Sequence, residues 1–133
     1  MNIIKHHSTP AGILEITIHN EQMIHALFID SPLQKLPMIT EIPPLSLQGT
    51  PFQIKVWQAA QTIPAGKTAT YKDLAAAIGH HGAWRAVANA LAKNKIAYFI
   101  PCHRVVSSDG KLAGYKWGLE RKRILLEAEG ARL

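Results

Sequence analysis

The sequence predicts a mixed α+β fold, in which a small N-terminal β-hairpin or sheet precedes a mainly helical domain with a winged helix-turn-helix. Before residue 30, apolar and polar residues alternate, which is typical of half-buried strands. After residue 50, helix caps precede apolar residues at helical spacing, and two short helices flank a glycine-bearing turn. With 133 residues, 47% of them hydrophobic, the chain can form one packed domain with a small appendage.

The predicted N-terminal β domain covers residues 1–30. Residues 12–18 place three apolar side chains on one face, and residues 23–29 form a second run of strand-forming residues. Together the two runs predict a hairpin that turns near Asn20. Residues 31–49 contain four prolines and no clear periodicity, so we predict an extended linker there.

The predicted helical domain covers residues 50–133. Thr50 and Gln53 form a capping box around Pro51, which stands at the first helical position, so a helix should begin there and end near residue 64. Thr70 should cap a second helix that ends at Gly79, because its side chain can accept a hydrogen bond from the first turn.

A third helix over residues 83–93 should complete the helix-turn-helix. Residues 108–110 (SDG) predict a tight turn between residues 105–106 and 112–115, a hairpin that would act as the wing. A last helix over residues 118–129 is expected to expose Arg121, Lys122 and Arg123.

Positive charge is concentrated in the second half of the chain. Fifteen basic and nine acidic residues give a net charge of +6, and nine of the basic residues but only two acidic ones lie between positions 85 and 123. Such an excess suits a polyanion such as DNA, although a merely solvated basic surface explains the count as well.

The cysteine count and the start of the chain bear on the compartment. One cysteine excludes an intramolecular disulfide framework, and no Cys/His cluster has zinc-ligand spacing, so we expect a reducing compartment and no metal. Residues 1–7 show neither a signal peptide nor a membrane span, and no phosphate-binding glycine loop is present. We therefore predict an intracellular protein without a cofactor, cytoplasmic and nucleoid-associated in a bacterium or nuclear in a eukaryote.

The single cysteine lies in residues 99–106 (FIPCHRVV) and is a candidate nucleophile. A thiol with the ordinary pKa of about 8.5 is mostly protonated at neutral pH, so a thiolate needs nearby positive charge, which His103 and Arg104 can supply. On an extended segment neighbouring side chains face opposite ways, so His103 should act on Cys102 through a bound water. A lone cysteine is otherwise a small buried hydrophobe, but two basic neighbours favour the nucleophile.

Residues 100–106 (IPCHRVV) are identical to the active-site motif of the O6-alkylguanine-DNA alkyltransferases, and the chain resembles that family from about residue 51 to 130. The resemblance implies a methylated-DNA-protein-cysteine methyltransferase. Such a protein flips an O6-alkylguanine, mainly O6-methylguanine, out of double-stranded DNA and moves the alkyl group irreversibly to its own cysteine, here Cys102. It also implies a monomer with no cofactor and no membrane partner. The family's N-terminal domain is usually longer, so residues 1–30 are expected to be a truncated version.

The resemblance also implies roles for individual residues. Glu129 matches the glutamate that holds the active-site histidine, which gives a relay from Cys102 through water and His103. Tyr71 matches a tyrosine that donates a proton or a hydrogen bond to guanine. Arg85 matches the arginine that fills the space left by the flipped base. The other DNA-binding candidates are Ala86, Asn89, Lys93 and Arg104, and the pocket candidates are Asn94, Pro101, Val105, Tyr115 and Lys116.

Without the resemblance, these residues have simpler interpretations. Arg85 would be an ordinary phosphate contact, Tyr71 a core-edge residue, Asn94 a local turn cap and Glu129 a solvated carboxylate. Trp84 is expected to pack inward.

Two other functions remain open. A related alkyltransferase-like group carries tryptophan in place of the cysteine and binds damaged DNA without repairing it. A sensor of this kind, in which Cys102 is incidental and other repair factors are recruited, is the first alternative. The second is a cysteine hydrolase, which would use Cys102 and His103 but would turn over and would not need a helix-turn-helix.

Overall fold

The computed structural model describes residues 1–131 except positions 31 and 33. Two residues of the predicted linker and the last two residues of the predicted helical domain therefore lie outside the described residues. The mixed α+β fold is confirmed. Among the described residues, no helix is both long and apolar enough to cross a membrane.

The N-terminal part of the described chain is a three-stranded antiparallel sheet in the order β1-β2-β3. Its strands are β1 Asn2–Thr9, β2 Gly12–His19 and β3 Gln22–Ile29. The predicted hairpin is formed by β2 and β3, and its turn places Asn20 and Glu21 at positive φ angles of 49° and 64°. Two successive positive φ angles are typical of tight hairpin turns whose twist matches that of the strands.

The strand β1 was not predicted from the sequence. Ile3 and Ile4 are adjacent instead of alternating with polar residues, and they remain 52% and 44% exposed. The strand pairs with β2 along its whole length, from Asn2 opposite His19 to Thr9 opposite Gly12. Backbone pairing along the whole strand, together with the burial of His6, which is 5% exposed, therefore holds β1 in the sheet.

The described part of the linker is irregular, but it is hydrogen-bonded to both outer strands of the sheet. Its backbone exchanges pairs of hydrogen bonds of 2.8–2.9 Å with one residue on each strand: His6 bonds to Pro37 and Ile39, and Met23 bonds to Pro44 and Ser46. A segment that looks like a free connection in the sequence is thus part of the packed structure.

Four α-helices lie in the described part of the helical domain: α1 Pro51–Gln61, α2 Tyr71–Ala77, α3 Trp84–Ala92 and α4 Leu119–Ala128. Both predicted caps are present, since Thr50 Oγ1 accepts from Gln53 N at 3.1 Å and Thr70 Oγ1 accepts from Asp73 N at 3.0 Å. The turn between α2 and α3 contains Gly79 at a φ of 77°, a conformation that glycine adopts without strain.

The predicted wing is wrong in its pairing. Val105–Val106 form β5, which pairs in parallel with β4, Ala69–Thr70, and residues 112–115 form no strand in the described chain. The predicted turn itself exists, because Gly110 N donates to Ser107 O at 3.0 Å. Since α2 begins directly after β4, this pairing places Tyr71 beside the segment that carries Cys102.

The prediction that Lys122 is exposed is also wrong. Lys122, Leu125 and Leu126 lie at helical spacing on α4 and are all buried, whereas Leu119 is 51% exposed. Glu129, one helical turn further along, lies on the same face. The buried face of α4 therefore brings a lysine and a glutamate towards the active-site segment.

The sheet packs directly behind that segment. Ala26 of β3 donates to Lys95 O at 2.9 Å and accepts from Ala97 N at 2.8 Å. Further along, the guanidinium of Arg121 lies over the Phe28 ring and pairs with Asp30. The N-terminal sheet thus supports both the turn before Cys102 and the start of α4.

Candidate active site

Cys102 begins a short 3-10 helix, Cys102–Arg104, and does not lie on the extended segment that we predicted. Three residues per turn separate successive side chains by about 120°. Cys102 is 7% exposed and faces a cavity, whereas His103 is completely buried. Both His103 and Arg104 are directed to Glu129.

The cavity beside Cys102 has a volume of about 740 Å³. Besides Cys102 itself, three predicted site residues line it: Tyr71, Tyr115 and Lys116. The other three pocket candidates, Asn94, Pro101 and Val105, are buried and do not form its wall. One stripe of α3 forms a wall that we did not predict, made of Trp84, Ala88, Leu91 and Ala92. Helical spacing could have indicated this stripe once Cys102 was chosen as the centre of the site.

Asn94 contacts the sulfur directly. Its Nδ2 donates to Cys102 Sγ at 3.3 Å and to Ile96 O at 3.0 Å, while its Oδ1 accepts from Ile96 N at 2.9 Å. Lys116 Nζ donates to the Asn94 carbonyl at 3.2 Å. One buried amide therefore fixes the turn before the active-site segment and offers the sulfur a hydrogen bond that favours a thiolate.

The Cys102 thiol is protonated in the resting protein. Burial raises its pKa to about 12, although the Asn94 hydrogen bond and the charges of Lys122 and Lys116 act in the opposite direction. His103 and Arg104, which we expected to supply the positive charge, do not contribute to this lowering. Any reaction of Cys102 as a nucleophile must therefore include removal of the thiol proton.

Glu129 accepts hydrogen bonds from both basic neighbours of Cys102. Its Oε2 lies 3.0 Å from His103 Nε2 and 2.7 Å from Arg104 Nη2, and its Oε1 accepts from Arg104 Nε at 3.0 Å. Burial alone would raise the pKa of this carboxyl, but the hydrogen bonds and charges of His103 and Arg104 hold it at about 2. Glu129 is thus ionised at neutral pH.

This contact also sets the tautomer of His103. When Nε2 donates to the carboxylate, Nδ1 carries the free lone pair, and it has no hydrogen-bond partner among the described residues. The ring is held between Tyr98, which lies nearly parallel at 6.2 Å, and Tyr115, which approaches edge-on at 6.3 Å. The arrangement can accept a proton at Nδ1, and the carboxylate would stabilise the imidazolium that results.

Two tyrosines provide hydrogen-bond donors at the cavity. Burial raises the pKa of Tyr71 and of Tyr115, and the neighbouring Cys102 raises both further. The hydroxyl of Tyr115 is buried and has no partner within the described ranges. Both phenols therefore stay protonated and can donate to a molecule that enters the cavity.

Four of the five predicted DNA-binding residues share the exposed face of α3 and its C-cap: Arg85, Ala86, Asn89 and Lys93. Arg104 is not among them, because its guanidinium bonds to Glu129 and its Nη1 donates to Ile63 O at 2.7 Å. Trp84 does not pack inward as expected, since it is 39% exposed and carries the Arg85 guanidinium over its ring, 5.1 Å from the centroid.

Lys122 joins two segments of the site from inside. Its Nζ donates to Val105 O at 2.6 Å and to Gly114 O at 3.1 Å. The Val105 carbonyl is thus engaged by an ammonium group in the interior. Burial lowers the pKa of Lys122 to about 8, and the neighbouring Cys102 limits this lowering.

Replacing Lys122 by methionine should destabilise the fold by about 1–3 kcal/mol at pH 7, because the buried Val105 carbonyl loses its donor and the Gly114 carbonyl loses a second hydrogen bond. The pH dependence should change as well. The unfolded lysine binds a proton up to about pH 10.5 and the folded one only to about pH 8, so this group makes the parent more stable as pH rises through that window.

Denaturant unfolding of the parent and of Lys122→Met between pH 7 and 11 checks both expectations. Lys111→Met is the matched control, since the Lys111 side chain is 83% exposed. Equal unfolding free energies for the Lys122 variant and the parent across this range would contradict the assignment.

Comparison with known proteins places this site in a family. A family model described as 6-O-methylguanine DNA methyltransferase, DNA binding domain, matches residues 51–131. The chain is 58% identical over 86 residues to the bifunctional transcriptional activator/DNA repair enzyme Ada of Escherichia coli, a match that covers 65% of this chain and 24% of that protein. It is 53% identical over 85 residues to a methylated-DNA-protein-cysteine methyltransferase of Kluyveromyces lactis, with coverages of 64% and 45%.

The chain thus spans less than half the length of either curated relative. Among solved structures, Mycobacterium tuberculosis OGT in complex with DNA is similar with a TM-score of 0.82 and 36% identity, over 96% of this chain and 92% of that one. The family match includes Tyr71, Arg85, Cys102 and Glu129, and it extends over more than half of the chain. This protein therefore belongs to the 6-O-methylguanine DNA methyltransferase family.

Proposed function

We propose that this protein repairs O6-alkylguanine, mainly O6-methylguanine, in double-stranded DNA by moving the alkyl group irreversibly to Cys102. One observation carries the proposal: Cys102 faces a cavity, Asn94 donates to its sulfur at 3.3 Å, and the next residue, His103, is paired with Glu129 at 3.0 Å. The names of the relatives, a DNA repair enzyme and a methylated-DNA-protein-cysteine methyltransferase, support the same reaction.

The reaction begins with the thiol proton, which passes through a bridging water to Nδ1 of His103. The thiolate attacks the alkyl carbon, and the sulfur–carbon bond forms as the bond between that carbon and guanine O6 breaks. Guanine leaves with the electron pair and takes a proton from the Tyr71 phenol. Tyr71 recovers a proton from solvent, and the His103 imidazolium returns one to solvent. In the net reaction the sulfur exchanges its proton for the alkyl group, and guanine exchanges the alkyl group for a proton.

The charges around the site favour the thiolate in the transition state. Asn94 donates to the sulfur, and the ammonium groups of Lys122 and Lys116 lower the thiol pKa against the effect of burial. The thioether product has no carbonyl for water to attack, so the protein should be consumed after one lesion.

The exposed face of α3 is the proposed DNA-binding surface. Its basic and small side chains, from Arg85 to Lys93, can approach a groove and contact phosphates. A base that reacts at Cys102 must leave the duplex stack, and we infer that the exposed Arg85 fills the vacated space. The relative that was solved in complex with DNA supports DNA as the partner.

Mass spectrometry of the intact protein tests the reaction. After mixing with a duplex that carries O6-methylguanine, the parent should gain the mass of one methyl group, and peptide mapping should place it on Cys102. Cys102→Ser should gain none. Product that keeps forming in excess substrate would indicate a hydrolase instead, and lesion binding by the parent without any mass gain would indicate a sensor. A methyl group on another residue would also overturn the proposal.

A further inference from the structure

Trp84 is a large aromatic side chain whose position neither the core nor the proposed chemistry explains. It is 39% exposed, whereas Trp57, in α1, is 4% exposed and donates its indole N–H to Ala90 O at 2.8 Å. Trp84 also begins α3, the helix that carries the exposed basic face, and it lines the same cavity as Cys102. It therefore lies where the cavity meets the basic face.

One side of the indole is already engaged. The guanidinium carbon of Arg85 lies 5.1 Å from the ring centroid, within the range of a cation–π contact. An arginine side chain loses much rotamer freedom when it is fixed in one position. Because the ring already holds the guanidinium, the entropy that Arg85 loses on DNA binding is smaller. This contact ties Arg85 to the mouth of the cavity.

The stripe of α3 that follows Trp84 leaves room beside the ring. Ala88 and Ala92 stand four and eight residues further along, and both line the cavity. Methyl side chains do not fill the space next to a flat aromatic group. Nucleobases stack on exposed aromatic side chains with little regard to sequence, and each stack is worth about 1–3 kcal/mol, or about 5- to 150-fold in affinity.

We propose that Trp84 is a stacking residue for the nucleobase that leaves the duplex: the indole receives the base at the mouth of the cavity while it holds the Arg85 guanidinium. The inference rests on the proposed function. It adds that Trp84 contacts the base after the base has left the duplex and before it reaches Cys102. Trp84 has no part in the bond-making step, which lies at Cys102.

Single-turnover methyl transfer separates this role from a structural one. Trp84→Ala should slow transfer from an O6-methylguanine duplex about tenfold, because the extruded base loses its stacking surface. Transfer from free O6-methylguanine base should be slowed much less than transfer from the duplex, because no base has to leave a stack. Trp84→Phe should restore most of the duplex rate, since phenylalanine keeps a π-face.

Fluorescence gives a direct readout of the stack. In a Cys102→Ser background the lesion is not consumed, and a guanine stacked on an indole quenches its emission. Because Trp117 also lines the cavity, the measurement is made with Trp117 replaced by phenylalanine as well. Binding of the lesion duplex should quench this protein more than an undamaged duplex does, and the additional quenching should disappear when Trp84 is also replaced by phenylalanine. Ile42→Ala is the control for loss of an exposed apolar side chain, because Ile42 is 61% exposed in the linker.

The possible outcomes are distinct. Equal duplex rates for Trp84→Ala and the parent, equal slowing with duplex and free base, or lesion-dependent quenching that survives in Trp84→Phe would each overturn the role of Trp84 alone. If the parent takes up no methyl group from the duplex, the proposed function fails, and this inference fails with it.

Discussion

Replacing Glu129 by glutamine is expected to slow methyl transfer by about a hundredfold, the lower end of what a positioned general base contributes. The carboxylate accepts three hydrogen bonds, one from His103 and two from Arg104. An amide offers one acceptor oxygen and places an NH2 group against one of these donors. His103 can then switch to the tautomer that carries its proton on Nδ1, and in that state it cannot accept the thiol proton.

Single-turnover transfer and duplex binding, measured on the same oligonucleotide, check this expectation. Binding should change little, because Glu129 does not line the cavity and its carboxylate is bonded to His103 and Arg104. Glu120→Gln is the matched control, since Glu120 pairs with Arg123 on the surface of the same helix. A transfer rate equal to that of the parent would show that proton transfer from Cys102 to His103 does not depend on the Glu129 carboxylate.

Glu129 should also affect how the free energy of unfolding depends on pH in the acidic range. Its pKa is held at about 2 in the folded protein against an ordinary value of 4.5. A carboxyl with a lowered folded pKa stabilises the fold above its unfolded pKa, and the stabilisation is lost as pH falls from about 4.5 towards 2. Solvent screens part of this contribution, so the shift corresponds to an upper bound on the order of 3 kcal/mol. The unfolding free energy of Glu129→Gln should therefore depend less on pH in this window than that of the parent.

Replacing Arg85 by alanine is expected to slow repair of duplex DNA by about a hundredfold. Unstacking and unpairing a base cost a few kcal/mol, and each 1.4 kcal/mol corresponds to a factor of about ten. The side chain that fills the vacated stack offsets part of this free-energy cost. Without it, the barrier to methyl transfer from duplex DNA rises. Transfer from free O6-methylguanine base should be almost unchanged, because the cavity and Cys102 are intact.

The ratio of the two rates is the informative measurement. Lys93→Ala serves as the control, since it removes an exposed positive charge near the end of α3 and should weaken duplex binding without changing transfer from the bound complex. If Arg85→Ala slows both substrates equally, Arg85 acts in the cavity and does not replace the extruded base.

Several features of the fold could be predicted because they depend on neighbours in the chain. The hairpin of β2 and β3 follows from alternation and a turn at Asn20, and the starts of α1 and α2 follow from the caps at Thr50 and Thr70. The exposed face of α3 likewise follows from helical spacing. In each case the side chain and the backbone group that it satisfies are within a few residues of each other.

The sequence by itself thus determined the β2–β3 hairpin, the starts of α1 and α2, the position of the nucleophile candidate in its motif and the concentration of positive charge around it. Only the tertiary structure decided that Cys102 is a buried, protonated thiol, that Asn94 contacts its sulfur, and that Lys122 is buried. It also decided that β5 pairs with β4 and that Trp84 faces the cavity. The reason is physical: pKa values, burial and strand pairing depend on groups far apart in the chain, such as His103 and Glu129, whose contact exists only after α4 has packed.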